Sequence, residues 1–309
     1  MDDRVMVFAP APLLTVTIEQ QADAVELHLH PGGQGVWQAR MIASLGVPVT
    51  LCVALGGEVG DALHKLLTEE DVTVRSVFRQ SGSGWYVHDR RNGSRAEIAE
   101  FAGAPMVRHD IDELYTVALT EGLRAPVSVL SGPADPSVVD PDIYRRLAAD
   151  LSANDAVVVA DLSGDYLKAV VEGGVALLKV SHEELLDDGL AEDDSVESLL
   201  AAGRRLQEQG AASVLISRAG EPSLGLLDGH GAVEVHVPRL ELADHRGAGD
   251  SMTAGVAAVL ARGGDLEEAV RTGAAAGALN VTRHGLGTGR AEAVRELVGR
   301  VRLAPLDDR

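Results

Sequence analysis

The chain has 309 residues, 46% hydrophobic and 24% charged, enough apolar material to bury a large core. A formal net charge of −20 argues against nucleic acid or an anionic membrane surface as a main partner. The single cysteine, Cys52, excludes an intrachain disulfide and cysteine-rich metal sites, and its place in the apolar run Val49–Leu55 reads as a buried small hydrophobe.

From the amino end, Met1-Asp2-Asp3-Arg4 lacks the basic start of a signal peptide, and no apolar run approaches the ~20 residues that span a bilayer. The expectation is a cytoplasmic protein. Thr15–His30 alternates, with Val16, Ile18, Val25, Leu27 and Leu29 apolar, and reads as strand. A helix is predicted over Trp37–Leu45 and a strand over Val47–Leu55. Ser83–Phe101 reads as a hairpin turning at Asn92-Gly93. Strands then follow at Val127–Leu130, Ala156–Ala160, Val175–Leu178 and Ser213–Ser217, with helices at Asp142–Leu151 and Ser195–Gln209 and an acidic loop at Asp187–Asp194. Short, wholly apolar strands alternating with helices predict an α/β fold on a mainly parallel sheet. The two stretches without helices, approximately 13–30 and 83–101, predict a small sheet that projects as a lid. His28 and His30 share a strand face near His88, but no third ligand has metal-site spacing, and a lid-surface or subunit-contact role is favoured.

The most informative segment is Asp244-His245-Arg246-Gly247-Ala248-Gly249-Asp250-Ser251-Met252. A helical pattern begins directly after the three small residues and stops at Gly263-Gly264. Gly247, Ala248 and Gly249 therefore sit at a helix N-terminus, where free N–H groups and the macrodipole favour an anion. Asp250 projects from the first turn. A carboxylate beside an anion hole binds phosphate poorly, yet it is well placed to take a proton from an alcohol attacking that phosphate. An ordinary first-turn dipole partner has the same spacing, so both readings stand on the pattern alone. None of the lysines (Lys65, Lys168, Lys179) follows a glycine as a Walker loop requires, and Gly33-Gln34-Gly35 supplies only half of a dinucleotide fingerprint.

Gly247-Ala248-Gly249-Asp250 resembles the signature Asp-Thr-x-Gly-Ala-Gly-Asp of the PfkB (ribokinase-like) carbohydrate kinases, with Asp244 kept and His245 in the threonine's place. Pro31-Gly32-Gly33-Gln34-Gly35, followed by Leu45-Gly46 and Leu55-Gly56-Gly57, is similar to that family's other signature. Ser251-Met252 and the run 280–289 resemble the 1-phosphofructokinase/tagatose-6-phosphate kinase branch. The resemblance implies one kinase domain over 1–309, a ribokinase-like three-layer sandwich with a strand lid over the sugar. It implies ATP and Mg²⁺, with Asp250 as general base and Gly247, Ala248 and Gly249 as the anion hole. Lys179-Val180-Ser181-His182-Glu183-Glu184-Leu185 looks like the family's Lys-Pro-Asn-x-x-Glu-Leu segment, which makes Glu184 the Mg²⁺ residue, acting through water. Ser217, Arg218 and Gly220 fall where the family contacts nucleotide phosphates. Asn280 and Gly285 fall near the adenine, on or after a helix whose Gly273-to-Ala278 run would also suit close helix packing.

The sugar end departs from the family. Gly32, Gly33, Gln34 and Trp37 hold the substrate-binding positions, but Gln34 stands for a lysine and Trp37 for an asparagine, and Leu13 stands for a carboxylate. Small residues near Gly82 and Gly84 take the place of a lid arginine and asparagine. A sugar phosphate needs cations or N–H donors, so weak or no turnover of fructose 1-phosphate and tagatose 6-phosphate is expected. Two functions follow: an ATP-dependent phosphotransferase acting on a hydroxyl of a sugar or sugar phosphate, or a catalytically silent nucleotide- or metabolite-binding sensor. A homodimer through the lid is expected by analogy, with Trp85 and Tyr86 as apolar members of the contact.

Overall fold

A computed structural model describes residues 3–22, 24–241, 246–282, 287 and 289–306. Its organisation is visible in one short strand. β1 (Val5–Phe8) is buried throughout; Val5 and Val7 join one apolar core, Met6 and Phe8 the other. A strand buried on both faces must be apolar at every position, which is why these runs show no alternation. Each fully buried side chain of this size contributes about 1.5–3 kcal/mol.

β1 lies inside a ten-stranded sheet. Its neighbours are β4 (Val49–Gly56) and then β5 (Thr73–Arg79) on one side. On the other come β8 (Val127–Ser131), β9 (Val157–Asp161), β10 (Val175–Ser181) and β11 (Ala211–Arg218). All of these pair in parallel. β12 (Glu221–Leu227), β13 (Gly231–His236) and β14 (Arg302–Pro305) extend the β11 side as an antiparallel edge. The core facing Val5 and Val7 takes side chains from α1 (Gln34–Ser44), α2 (Gly57–Thr68), α8 (Ala248–Ala261), α9 (Leu266–Asn280) and α10 (Ala291–Val298). The core facing Met6 and Phe8 takes them from α3 (Arg108–Gly122), α4 (Asp142–Ser152), α5 (Gly164–Gly173), α6 (His182–Asp187) and α7 (Val196–Gln209). The expected three-layer α/β sandwich is therefore observed. Helices and strands follow the pattern closely where it is long; β1 and the antiparallel edge have too few residues or too mixed a pattern to stand out in the sequence.

Chain order reverses at β1, between β4 and β8, and in open α/β sheets ligands bind beyond the carboxyl ends of the strands at such a switch point. That edge is held by packing from below. Phe8 meets the Tyr144 ring edge-on at 5.3 Å, and Tyr144 meets Tyr166 at 5.0 Å. The Tyr144 hydroxyl donates to the Ser131 carbonyl at 2.8 Å, which fixes the end of β8. Gly35 lies so close to the Cβ of Ala9 that no side chain fits there, so the start of α1 rests directly on the end of β1. Cys52 is buried and free, and burial pushes its thiol up to about 12.

Thr15–His30 is not one strand but two: β2 (Leu13–Gln21) and β3 (Ala24–Gly32), an antiparallel hairpin that runs on to Gly32. The sequence carries the reason. Val16 and Ile18 are even-numbered and Val25, Leu27 and Leu29 odd, so keeping one apolar face requires a turn between the two sets. β2 also pairs in parallel with β6 (Gly84–Asp89), which pairs with β7 (Ala96–Phe101), giving the four-stranded sheet β3-β2-β6-β7. The chain passes between this sheet and the body near Arg79. Its buried guanidinium donates to the carbonyls of Ala104 at 2.7 Å and Gly82 at 3.2 Å, and to Ser81 Oγ at 2.9 Å. At the other crossing Gly33, with φ of 106°, packs against Pro12. Among the described residues, no helix is long and apolar enough to cross a membrane.

Candidate active site

Gly247 caps α8 in the left-handed conformation, φ 71° and ψ 6°, which glycine adopts without the penalty other residues meet. Its carbonyl accepts the N–H of Ser251 at 2.9 Å, so the helix starts abruptly and the amides of its first turn have no partner within the helix. Asp250 lies in that first turn and is partly buried. Desolvation, reinforced by Asp161 and Glu184, pushes its carboxyl up to about 8, although Lys179 and a hydrogen bond from the Gln34 amide act the other way. A carboxyl whose pKa lies this close to neutral pH is a strong proton acceptor in the fraction that is ionised, which grows as pH rises.

Beneath the turn lies a charged network absent from the sequence-based expectations. Asp161, at the end of β9, is fully buried. Its Oδ1 accepts from Lys179 Nζ at 3.1 Å, and its Oδ2 accepts from Gln38 Nε2 at 3.0 Å and Thr253 Oγ1 at 2.9 Å. Ser131 Oγ in turn donates to Gln38 Oε1. The Thr253 hydroxyl, with one hydrogen, also reaches the Gly249 carbonyl at 3.1 Å. Burial, with Glu184 nearby, raises the Asp161 carboxyl above its ordinary range, and the Lys179 charge and the Thr253 and Lys179 hydrogen bonds act against that rise. Burial works against the charge of Lys179, but Asp161, Glu184 and Asp250 outweigh it and raise its pKa. The Lys179 ammonium lies directly against Gly249, where even a methyl group would collide with it. The network thus joins α1, β8, β9, β10 and α8 at the edge where the sheet order reverses. One signal for it was available: the apolar strand 157–160 ends on a carboxylate, and a buried acid requires partners.

A cavity of about 400 Å³ opens between this edge and the small sheet. Gly33, Gln34 and Trp37 line it, as expected; Gly32 does not, because it ends β3 and packs against Thr15. Leu13 and Tyr86 enter from the small sheet, Asp161 and Glu184 from the floor. Arg95 also lines it, with its guanidinium 4.7 Å from the Tyr86 ring centroid. Tyr86 therefore faces the cavity, and Trp85 packs towards the core and Phe101. On the small sheet the exposed apolar side chains include Val25, Leu27 and Leu29 of β3, 59%, 62% and 46% exposed, and Ile98 and Phe101 of β7. Trp85 and Tyr86, expected at a lid contact, are both half-buried.

Glu184 has a local task. Its Oε2 accepts from the Ser181 N–H at 2.7 Å, and Ser181 Oγ accepts from the Glu184 N–H at 3.1 Å, a reciprocal capping box at the start of α6. Serine at 181 is thus suited to the helix start. Ser217 pairs with Ser181 across the β10–β11 ladder, which puts it on the same edge. Arg218 reaches the Asp194 and Pro222 carbonyls, both at 3.5 Å, and Gly220 is exposed in the following turn. Asn280 is buried, and its amide is engaged at both ends: Nδ2 donates to Arg246 O at 2.7 Å, and Oδ1 accepts from Gly287 N at 3.4 Å. Gly273 and Gly277 are filled by the α8 backbone, so helix packing accounts for that small-residue run. Gly285, Asp244 and His245 lie outside the described residues. Among the described residues, no three His, Cys, Asp or Glu side chains gather as a metal cage, and His28 and His30 simply stack, with ring centroids 6.1 Å apart.

Residues 13–293 match the model of the pfkB family of carbohydrate kinases. The chain is 28% identical over 278 residues to the 1-phosphofructokinase of Bacillus subtilis, covering 90% of this chain and 89% of that protein. Among solved structures, phosphofructokinase-2 from Escherichia coli superposes with a TM-score of 0.84 at 25% identity, covering 96% and 98% of the two chains. An Arabidopsis thaliana ribokinase shares the fold, with a TM-score of 0.74 at 20% identity, covering 96% of this chain and 99% of that one. These likenesses support the enzymatic reading over the silent sensor. The chain belongs to the pfkB family and is a carbohydrate kinase.

Proposed function

We propose that Asp250 is the general base of this kinase and that the amides of the Gly247-Ala248-Gly249 turn hold the phosphoryl group in transfer. The acceptor occupies the cavity under the small sheet. Its hydroxyl gives a proton to Asp250 and attacks the γ-phosphorus of ATP; the new O–P bond forms as the bond to the β-phosphate oxygen breaks, and ADP leaves. The observation that carries this reading is Asp250 in the first turn of α8, partly buried, one residue beyond Gly249 and its underlying ammonium. Positive charge and unpaired amides face the anion, and the nearest proton acceptor lies beside them.

The nucleotide runs along Ser217, Arg218 and Gly220 towards Asn280 and Gly285. The donor set suits Mg²⁺. Glu184 engages its Oε2 with the Ser181 N–H and leaves Oε1 for a water of a hydrated ion, whereas both oxygens of Asp161 are already taken by Lys179, Gln38 and Thr253. A hydrated ion would draw the rest of its shell from water and phosphates. When bound, Mg²⁺ supplies charge neutralisation at the phosphates. The chain acts as a single kinase unit over 1–309 in the cytoplasm and forms a homodimer through its lid. The exposed Val25, Leu27 and Leu29 support that contact, and light scattering that reports a monomer would refute it.

Asp250→Asn tests the central assignment. Acceptor-dependent ADP formation should fall about 10²–10⁴-fold, with nucleotide affinity by calorimetry unchanged. Turnover within a few-fold of wild type would overturn it. Fructose 1-phosphate and tagatose 6-phosphate should be poor acceptors; ordinary kinase rates on either would refute that part.

A further inference from the structure

We propose that the acceptor cavity selects an uncharged polyhydroxyl ring, and that Gln34 is the residue that excludes its phosphorylated counterpart. The inference deepens the kinase reading and rests on the acceptor lying under the small sheet. Gln34 is the first residue of α1, and its Oε1 accepts the N–H of Gly132 at 2.8 Å. An oxygen of the protein itself thus occupies the place from which an acceptor's anionic oxygen would take that hydrogen bond. The next residue, Pro133, has no N–H. The turn after β8 therefore offers no pair of adjacent amides, the arrangement by which backbone holds phosphate.

Charge points the same way. Arg95 is the one lysine or arginine among the described residues lining the cavity, against the two carboxylates of Asp161 and Glu184. It stands exposed over Tyr86 rather than at the floor. Lys179 is buried, bound to Asp161, and placed under Gly249 on the donor side. A phosphate dianion entering this cavity meets the Glu184 carboxylate, an Asp161 whose charge Lys179 already matches, one exposed arginine and an occupied amide. A neutral ring meets flat or apolar walls, Trp37, Tyr86 and Leu162, with Thr15 and Ser163 to bond hydroxyls. Polar sites discriminate strongly when a wrong ligand leaves buried groups unpaired.

The test compares matched acceptors with ATP: fructose against its 1- and 6-phosphates, tagatose against its 6-phosphate, and ribose and uncharged nucleosides against their monophosphates. Wild type should favour the uncharged member of its best pair by about tenfold or more in kcat/KM, and Gln34→Lys should move that ratio about tenfold towards the phosphorylated member. A wild-type preference for the phosphorylated member, or an unchanged ratio in folded Gln34→Lys, overturns the proposal. Gln34→Ala, which frees the Gly132 N–H, gives a second reading: its ratio should move in the same direction, and no movement counts against Gln34. Calorimetry with a non-hydrolysable ATP analogue covers the case without turnover. Binding of an uncharged acceptor alone supports the proposal; binding of only phosphorylated acceptors, or of none, overturns it. Failure of the kinase reading is separate: an Asp250→Asn variant with wild-type turnover removes the base assignment while leaving the acceptor ratio as measured.

Discussion

The two ends of the cavity are built on opposite plans. At the α8 end every polar group of the Asp161 network has a partner, the side chains are buried, and donors from three elements of the main body converge on one carboxylate of a fourth. At the lid end the walls are rings and short polar side chains from several elements: Leu13, Thr15 and Tyr86 from the small sheet, Gln34 and Trp37 from the start of α1, Leu162 and Ser163 from just beyond β9. The transfer chemistry needs fixed geometry and preorganised charge, which a close-packed core supplies. Selection needs only a shaped wall, and the part of it on a separate small sheet can change without disturbing that core. In this chain the α8 end keeps most of its family signature, while at the acceptor side Gln34 stands for a lysine, Trp37 for an asparagine and Leu13 for a carboxylate.

The sharpest way to break this contrast is at its centre. Asp161→Ala leaves the Lys179 ammonium buried without its main partner, and the expected loss is about 3–5 kcal/mol in urea unfolding. A loss as small as a surface substitution would mean that the network is not what holds the α8 end. Gly249→Ala comes next: the added methyl displaces Lys179 from beneath the turn, and kcat should fall about 10²-fold while the far-ultraviolet circular dichroism stays that of wild type. At the lid end Trp37→Ala should raise the KM for the acceptor about tenfold, with little change in kcat or in the KM for ATP. Equal effects on both substrates would erase the distinction between the two ends.

The smallest expected effect concerns pH. The folded state raises the Asp250 carboxyl from its ordinary range to about 8. The neutral form is therefore the one the fold favours. Its contribution to stability is complete below the unfolded pKa and is lost as pH rises through the folded one. Asp250→Asn should accordingly unfold at a higher temperature than wild type at pH 9, with the gap closing on acidification. Tm measured across pH checks this, and a gap that widens towards acid would refute it. Activity follows the opposite course, because the base acts when ionised: kcat/KM should fall as pH drops through the same region.

What could be read from the sequence divides along the same line. Long apolar runs and the glycine turn before α8 are local patterns, and they located the sheet, the helices and Asp250. The partners of Asp161 are scattered over Gln38, Lys179 and Thr253, on three separate elements, so no spacing announces them; only the fold brings them together. Gln34 illustrates a subtler limit. The loss of a cation at that position is evident from the residue alone, but the engagement of the Gly132 N–H depends on where β8 ends. Asn280 reads as a ligand neighbour by position, whereas its amide bridges two backbone groups.

Arg79 has a mechanical consequence. One guanidinium fastens the strand segments that enter and leave the β6–β7 half of the small sheet, at Gly82 and Ala104. Gly33 packed on Pro12 draws together the two crossings of the other half. The covering sheet is thus pinned at two posts on one rim, while the Asn92–Gly93 tip points into open space. The motion left to it is a swing about the line through those posts, with the largest travel at the tip, beside Arg95.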